Sequence, residues 1–120
     1  GMMSPVDTHP YFFYIAKDEQ GIRDLEYGDL YQEHLLQIPV KYQDIDNSWN
    51  LIFALNEELS LLIDIYEDEQ IDVNKLPAAL KISERVIEKE ENAEKAASMS
   101  VFVSAIKTAI SYNSPLVIWW

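Results

Sequence analysis

Apolar residues are spaced along this chain in two rhythms, and each change of rhythm marks an element. Tyr11, Phe12, Phe13, Tyr14 and Ile15 form an unbroken aromatic, β-favouring run, stopped by the charged, turn-like stretch Lys17 to Gly21. That run predicts a β-strand. Between Ile22 and Gln37 the apolar Ile22, Leu25, Tyr31, Leu35 and Leu36 allow a helix, but Gly28 weakens its middle by roughly 1 kcal/mol relative to alanine. A shorter helix from about Asp29 to Gln37 is the expectation, closed by Pro39, with Val40 to Tyr42 either a short strand or loop.

Further along, Ile45, Trp49, Ile52, Phe53, Leu59, Leu62, Ile63 and Tyr66 recur at helical steps. They predict one amphipathic helix over 45–66, with side-chain oxygens from Asp44 to Ser48 available to cap it. A second helix presents Leu76, Ala79, Leu80, Ser83 and Ile87; Asp72 or Asn74 can cap it, and Pro77 is tolerated because it falls in the first turn. A third carries Ala96, Met99, Phe102, Val103, Ile106, Ala109, Ile110 and Tyr112, stopped by Asn113 and Pro115. No Gly or Pro separates these two, so the pattern alone permits one rod over 75–112, roughly 57 Å long at ~1.5 Å per residue. A compact domain of this size is narrower than that, so a break is expected near Glu90 to Ala93, with Asn92 capping the second piece. An intact rod would instead imply dimerisation.

The chain closes on Leu116, Val117, Ile118, Trp119 and Trp120, a strand-like run whose exposure would forgo roughly 2 kcal/mol or more per large side chain. Its simplest partner is the Tyr11 to Ile15 strand, with a third strand drawn from Val40 to Tyr42 or from a second subunit. The fold class is therefore α+β and predominantly α-helical, with three to four helices packed on a small β-sheet that includes the C-terminal strand. Residues 1–10, with Pro5 and Pro10, read as an extended leader; Gly1 before Met2 resembles a residue left by tag cleavage, and 11–120 read as a single globular domain.

Composition narrows the function classes. Twenty-one acidic against nine basic side chains give a net charge of -12, which opposes binding to nucleic acid phosphates and to anionic membrane surfaces. The longest apolar runs are far too short to span a bilayer. The sequence has no cysteine, which fits a reducing, cytoplasmic setting.

Chemistry-bearing motifs are sparse. Asp64, Glu67, Asp68, Glu69 and Asp72 gather five acids in nine residues without a base. A calcium loop begun at Asp64 would need glycine at its sixth position and glutamate at its twelfth, and finds Glu69 and Lys75. The segment reads as a solvated acidic loop or a docking surface for a basic partner. Glu33 and His34 are adjacent and so diverge by about 100° on a helix, and the other histidine, His9, lies in the leader. Serines lack a nucleophile elbow, and Gly1, Gly21 and Gly28 are too scattered for a phosphate loop. Tyr27, Tyr31, His34 and Tyr42 lie where the pattern is least regular, and are the candidates for a pocket or interface. No catalytic, metal or cofactor residue is assigned.

The leading expectation is a non-catalytic protein-binding module, an inhibitor or immunity-type partner of a basic protein. The alternatives are a small-molecule-binding protein or small enzyme with a carboxylate and tyrosine pocket, and a homo-oligomer, such as a homodimer formed through the C-terminal strand.

Overall fold

The computed structural model describes residues 11–30 and 33–120. In chain order the elements are β1 (Tyr11–Ala16), α1 (Glu19–Glu26), β2 (Leu35–Val40), α2 (Tyr42–Asp46), α3 (Trp49–Leu59), β3 (Glu69–Ile71), a single 3₁₀ turn (Val73–Lys75), α4 (Leu76–Lys89), α5 (Ala93–Ser111) and β4 (Leu116–Trp119). The four strands form one antiparallel sheet in the order β2-β1-β4-β3. The molecule is α+β and dominated by its helices. The expected leader, 1–10, lies outside the described residues.

Both apolar strands are continuous because each face of the sheet packs against a hydrophobic cluster. Tyr11, Phe13 and Ile15 of β1, with Leu116, Ile118 and Trp120 at the C-terminus, face a main core shared with Leu51, Ile52 and Leu55 of α3, Leu76 and Ala79 of α4, and Met99, Phe102 and Ile106 of α5. The other parity, Tyr14 and Ala16 of β1 with Leu35 of β2, faces a smaller cluster closed by Ile22 and Leu25 of α1. The C-terminal run pairs with β1 in register, Phe12 opposite Trp119 and Ile15 opposite Leu116. Because β3 lies on its other side, β4 is an interior strand and leaves no edge for a second copy of the chain.

The two outer edges are both blunted. The His34 carbonyl accepts from the Lys17 N–H at 2.9 Å, and antiparallel alternation then puts Leu36, Ile38 and Val40 at bonded positions. Pro39 consequently turns toward the open side, where it removes a donor from the edge. On the opposite edge, Gln70 donates its backbone N–H to Glu69 Oε1 at 2.7 Å.

Several expected boundaries move. The described residues of Asp29 to Gln37 form no helix: α1 comes earlier, capped by Asp18, whose Oδ1 accepts from the Gly21 N–H at 2.9 Å, and Leu35 to Gln37 belong to β2. Pro39 is tolerated there because the strand is an edge. The single helix over 45–66 is instead three pieces. Ser48 turns its hydroxyl back onto the Asp44 carbonyl at the join between α2 and α3, and Ser60 adopts a left-handed conformation (φ 55°) that ends α3. Asn56 then clamps the following chain, accepting from Ile63 N–H at 2.8 Å and donating to the Ile63 carbonyl at 3.1 Å. Leu61 and Ile63 are buried with Leu62 exposed, a period of two that the helical spacing had masked. At α4, neither Asp72 nor Asn74 makes a side-chain cap. The break between α4 and α5 falls where expected, and Asn92 accepts from the Lys95 N–H at 2.9 Å.

One buried hydroxyl completes the sheet. Ser114 is fully buried; its Oγ accepts from the Ala16 N–H at 2.8 Å and donates to the Pro115 carbonyl at 2.7 Å, relaying a ladder bond across the start of β4. Ser114→Ala strands a buried donor and acceptor, and is expected to cost about 1–3 kcal/mol. Urea unfolding checks this against Ser111→Ala, an exposed serine expected to stay within about 0.5 kcal/mol of wild type.

Candidate functional site

Among the described residues, the second face of the sheet is only half roofed. Helix α1 has eight residues, enough to cover β1 and β2 but not the β4–β3 half beside them. What remains is an open cleft of about 310 Å³. Its floor is apolar, formed by Val117 and Trp119 of β4 with Leu25 and Leu30 from the end of α1 and the chain beyond it. Its more exposed lining is polar, formed by Asp68, Glu69 and Gln70. Gly28 contributes bare backbone at φ 71°, and a Cβ there would meet nothing within 4 Å.

The acidic segment that supplies this polar lining is fixed by its own hydrogen bonds. Glu69 Oε2 accepts from the Leu62 N–H at 2.7 Å, Asp64 Oδ1 from the Tyr66 N–H at 3.1 Å, and Asp72 Oδ1 from Gln70 Nε2 at 2.7 Å. Asp64, Glu67, Asp68 and Asp72 are exposed and Glu69 is half-buried. None of the five enters an ion pair among the described residues. Two of them, Asp68 and Glu69, line the cleft; Asp64, Glu67 and Asp72 lie outside its lining.

The remaining candidates do not converge on it. Tyr27 is the C-cap of α1, 82% exposed and adjacent to Gly28. Tyr42 opens α2 and stacks on Tyr11 against the main core, with ring centroids 6.0 Å apart. His34 precedes β2, on the far edge of the sheet from β3. Tyr31 lies outside the described residues.

His34 does have a carboxylate partner, though from a distant part of the chain. Its Nδ1 donates to Asp18 Oδ2 at 2.7 Å, while Glu33 stands 3.7 Å from Nε2. The hydrogen bond to Asp18, helped by the charges of Asp18, Glu33 and Asp24, raises His34 above its usual 6.5; the same bond, with that from the Gly21 N–H, holds Asp18 below its usual 3.8. The raised histidine contributes stability that is fully present below pH 6.5 and fades as pH rises through its folded value. The lowered aspartate contributes stability present above pH 3.8 and lost as pH falls through its own folded value. Urea midpoints of wild type and His34→Gln should accordingly differ most near pH 5–6 and converge by about pH 9; a difference that does not change with pH would refute the pairing.

Among the described residues, no three His, Asp or Glu side chains are placed to hold one metal ion, and no helix is long and apolar enough to cross a membrane. Sequence reasoning found the acids but missed the floor, because Val117 and Trp119 carry no signal beyond burial. Only the sheet order brings them beside Asp68 to Gln70. Comparison with protein-family models, with curated proteins and with solved structures finds no significant match.

Proposed function

We propose that this chain is a non-catalytic protein-binding module, an inhibitor or immunity-type partner, whose acidic surface over Asp64 to Asp72 meets a basic protein. The observation that carries this reading is a charged segment of fixed shape. Its carboxylates hold the local backbone through the bonds to Leu62, Tyr66 and Gln70, yet no base neutralises them among the described residues. Such a surface attracts a cationic partner over a Debye length and loses little conformational entropy when the two dock. The net charge of -12 adds a field of the same sign.

A small-molecule site is the second reading, favoured by the same cleft, whose volume stands at the lower end of the ~300–1,000 Å³ usual for ligand sites. The two readings separate on charge. Affinity capture from native lysate at low and at moderate salt, with wild type and with Asp64→Lys, Glu67→Lys, Asp72→Lys combined, should recover one basic protein that salt releases and the triple variant loses. With that protein purified, the variant is expected to associate at least about tenfold more slowly at low ionic strength. Unchanged association at low salt would exclude the acidic surface as the docking site.

A further inference from the structure

We propose that the cleft between β3, β4 and the end of α1 receives one long cationic side chain, lysine or arginine, from the basic protein partner, its aliphatic stem on the apolar floor and its charge at Asp68. This rests on the binding-module reading and assigns the acidic surface a specific contact. Three features of the cleft support it. Its lining joins half-buried apolar side chains, Val117 and Leu25, to the exposed carboxylate of Asp68, the complement of a side chain that buries its methylenes and keeps its charged head near water.

Next, the hydrogen-bonding groups of the lining are unequally engaged. Glu69 holds the Leu62 and Gln70 N–H groups, and the Gln70 amide is donated to Asp72. Asp68, exposed in the cleft lining, makes no hydrogen bond or ion pair among the described residues, so its charge there is uncompensated. Finally, at about 310 Å³ the cleft has room for one extended side chain, and Gly28 adds no side chain of its own between Leu25 and Leu30. An anion would be repelled by Asp68, and a neutral ligand would gain at most a hydrogen bond there without the charge attraction.

The test uses three blocked tripeptides, with lysine, norleucine or the short cation diaminopropionate between glycines, titrated into the full-length ¹⁵N-labelled protein. The lysine peptide should shift the Val117 amide and the Trp119 indole, and should bind about two- to fivefold more tightly than norleucine or diaminopropionate, each of which keeps only one half of the interaction. Asp68→Asn, a change at an exposed side chain, should remove the advantage over norleucine and leave norleucine binding unchanged. Equal binding of all three peptides, or shifts that avoid Val117 and Trp119, would overturn the assignment. Loss of peptide binding in the cleft while capture of a basic protein still depends on Asp64, Glu67 and Asp72 would remove this contact and leave the acidic surface standing. Peptide binding with no basic protein captured would overturn the protein as its source.

Discussion

Phe102→Ala is expected to cost about 3–5 kcal/mol of folding free energy, the largest effect of any single substitution considered for this molecule. Phe102 projects from α5 with 1% of its surface exposed, and its ring meets Phe13 of β1 at 5.4 Å and Trp120 at 5.8 Å, both edge-on. It therefore joins the longest helix to the first strand and to the last residue of the chain. Truncation leaves a cavity that neither a helix backbone nor a paired strand can readily close, so the lost transfer energy and the lost packing add. Urea unfolding followed by tryptophan fluorescence measures the change. The half-buried neighbour Val103 truncated to alanine is the control, and should fall well below it. A Phe102→Ala loss under about 1.5 kcal/mol would mean that α5 does not dock on the sheet through this ring.

The second large effect has the opposite sign from helix propensity. An exposed glycine inside a helix gains about 1 kcal/mol when replaced by alanine. Gly21 lies inside α1, yet Gly21→Ala is expected to destabilise by about 1–3 kcal/mol. A Cβ at this position would stand 2.4 Å from the His34 carbonyl oxygen and 3.0 Å from the Ala16 Cβ. That carbonyl is held by the Lys17 N–H, and the helix N-terminus is held by Asp18, so relief requires lifting α1 from the sheet. The Trp119 indole resonance should shift along with the urea midpoint, because α1 also supplies Leu25 to the cleft. A neutral or stabilising outcome would contradict the close approach of helix and strand.

Gly21 also shows why some elements were legible in the sequence and others were not. The strands at Tyr11 and Leu116 and the helix pair split at Asn92 were visible because a continuous apolar run and a capping residue each imply one local structure. Gly21, in a stretch of charges, looked like turn chemistry; only the position of the His34 carbonyl shows that glycine is there to let a helix approach. By spacing, Gly28 weakens the middle of a helix between Ile22 and Gln37, whereas it follows the C-cap Tyr27 with φ 71° and serves as the stop of α1. Pro39 was read as a helix terminator, and the open edge of β2 accepts it for a reason that depends on which strands are neighbours. Leu62, Ile63 and Tyr66 fit helical spacing by accident of composition, while the left-handed Ser60 and the Asn56 clamp impose an extended path.

The candidate site follows the same division. The acids of Asp64 to Asp72 were evident, and their ordering was not, since Glu69 and Asp64 are fixed by backbone groups close in space. The cleft was invisible. It exists because β3 joins the sheet beside β4 while α1 is too short to cover both halves of the second face.

The most direct test of the acidic surface as a docking site is a titration of the ¹⁵N-labelled protein with the captured basic protein, read as amide shifts along the whole chain at low and moderate salt. The expected result is a set of shifts confined to Asp64 through Asp72, Val117 and Trp119 that weakens as salt rises. Shifts centred instead on the helical face at half-buried Trp49 and exposed Phe53, unchanged by salt, would contradict it.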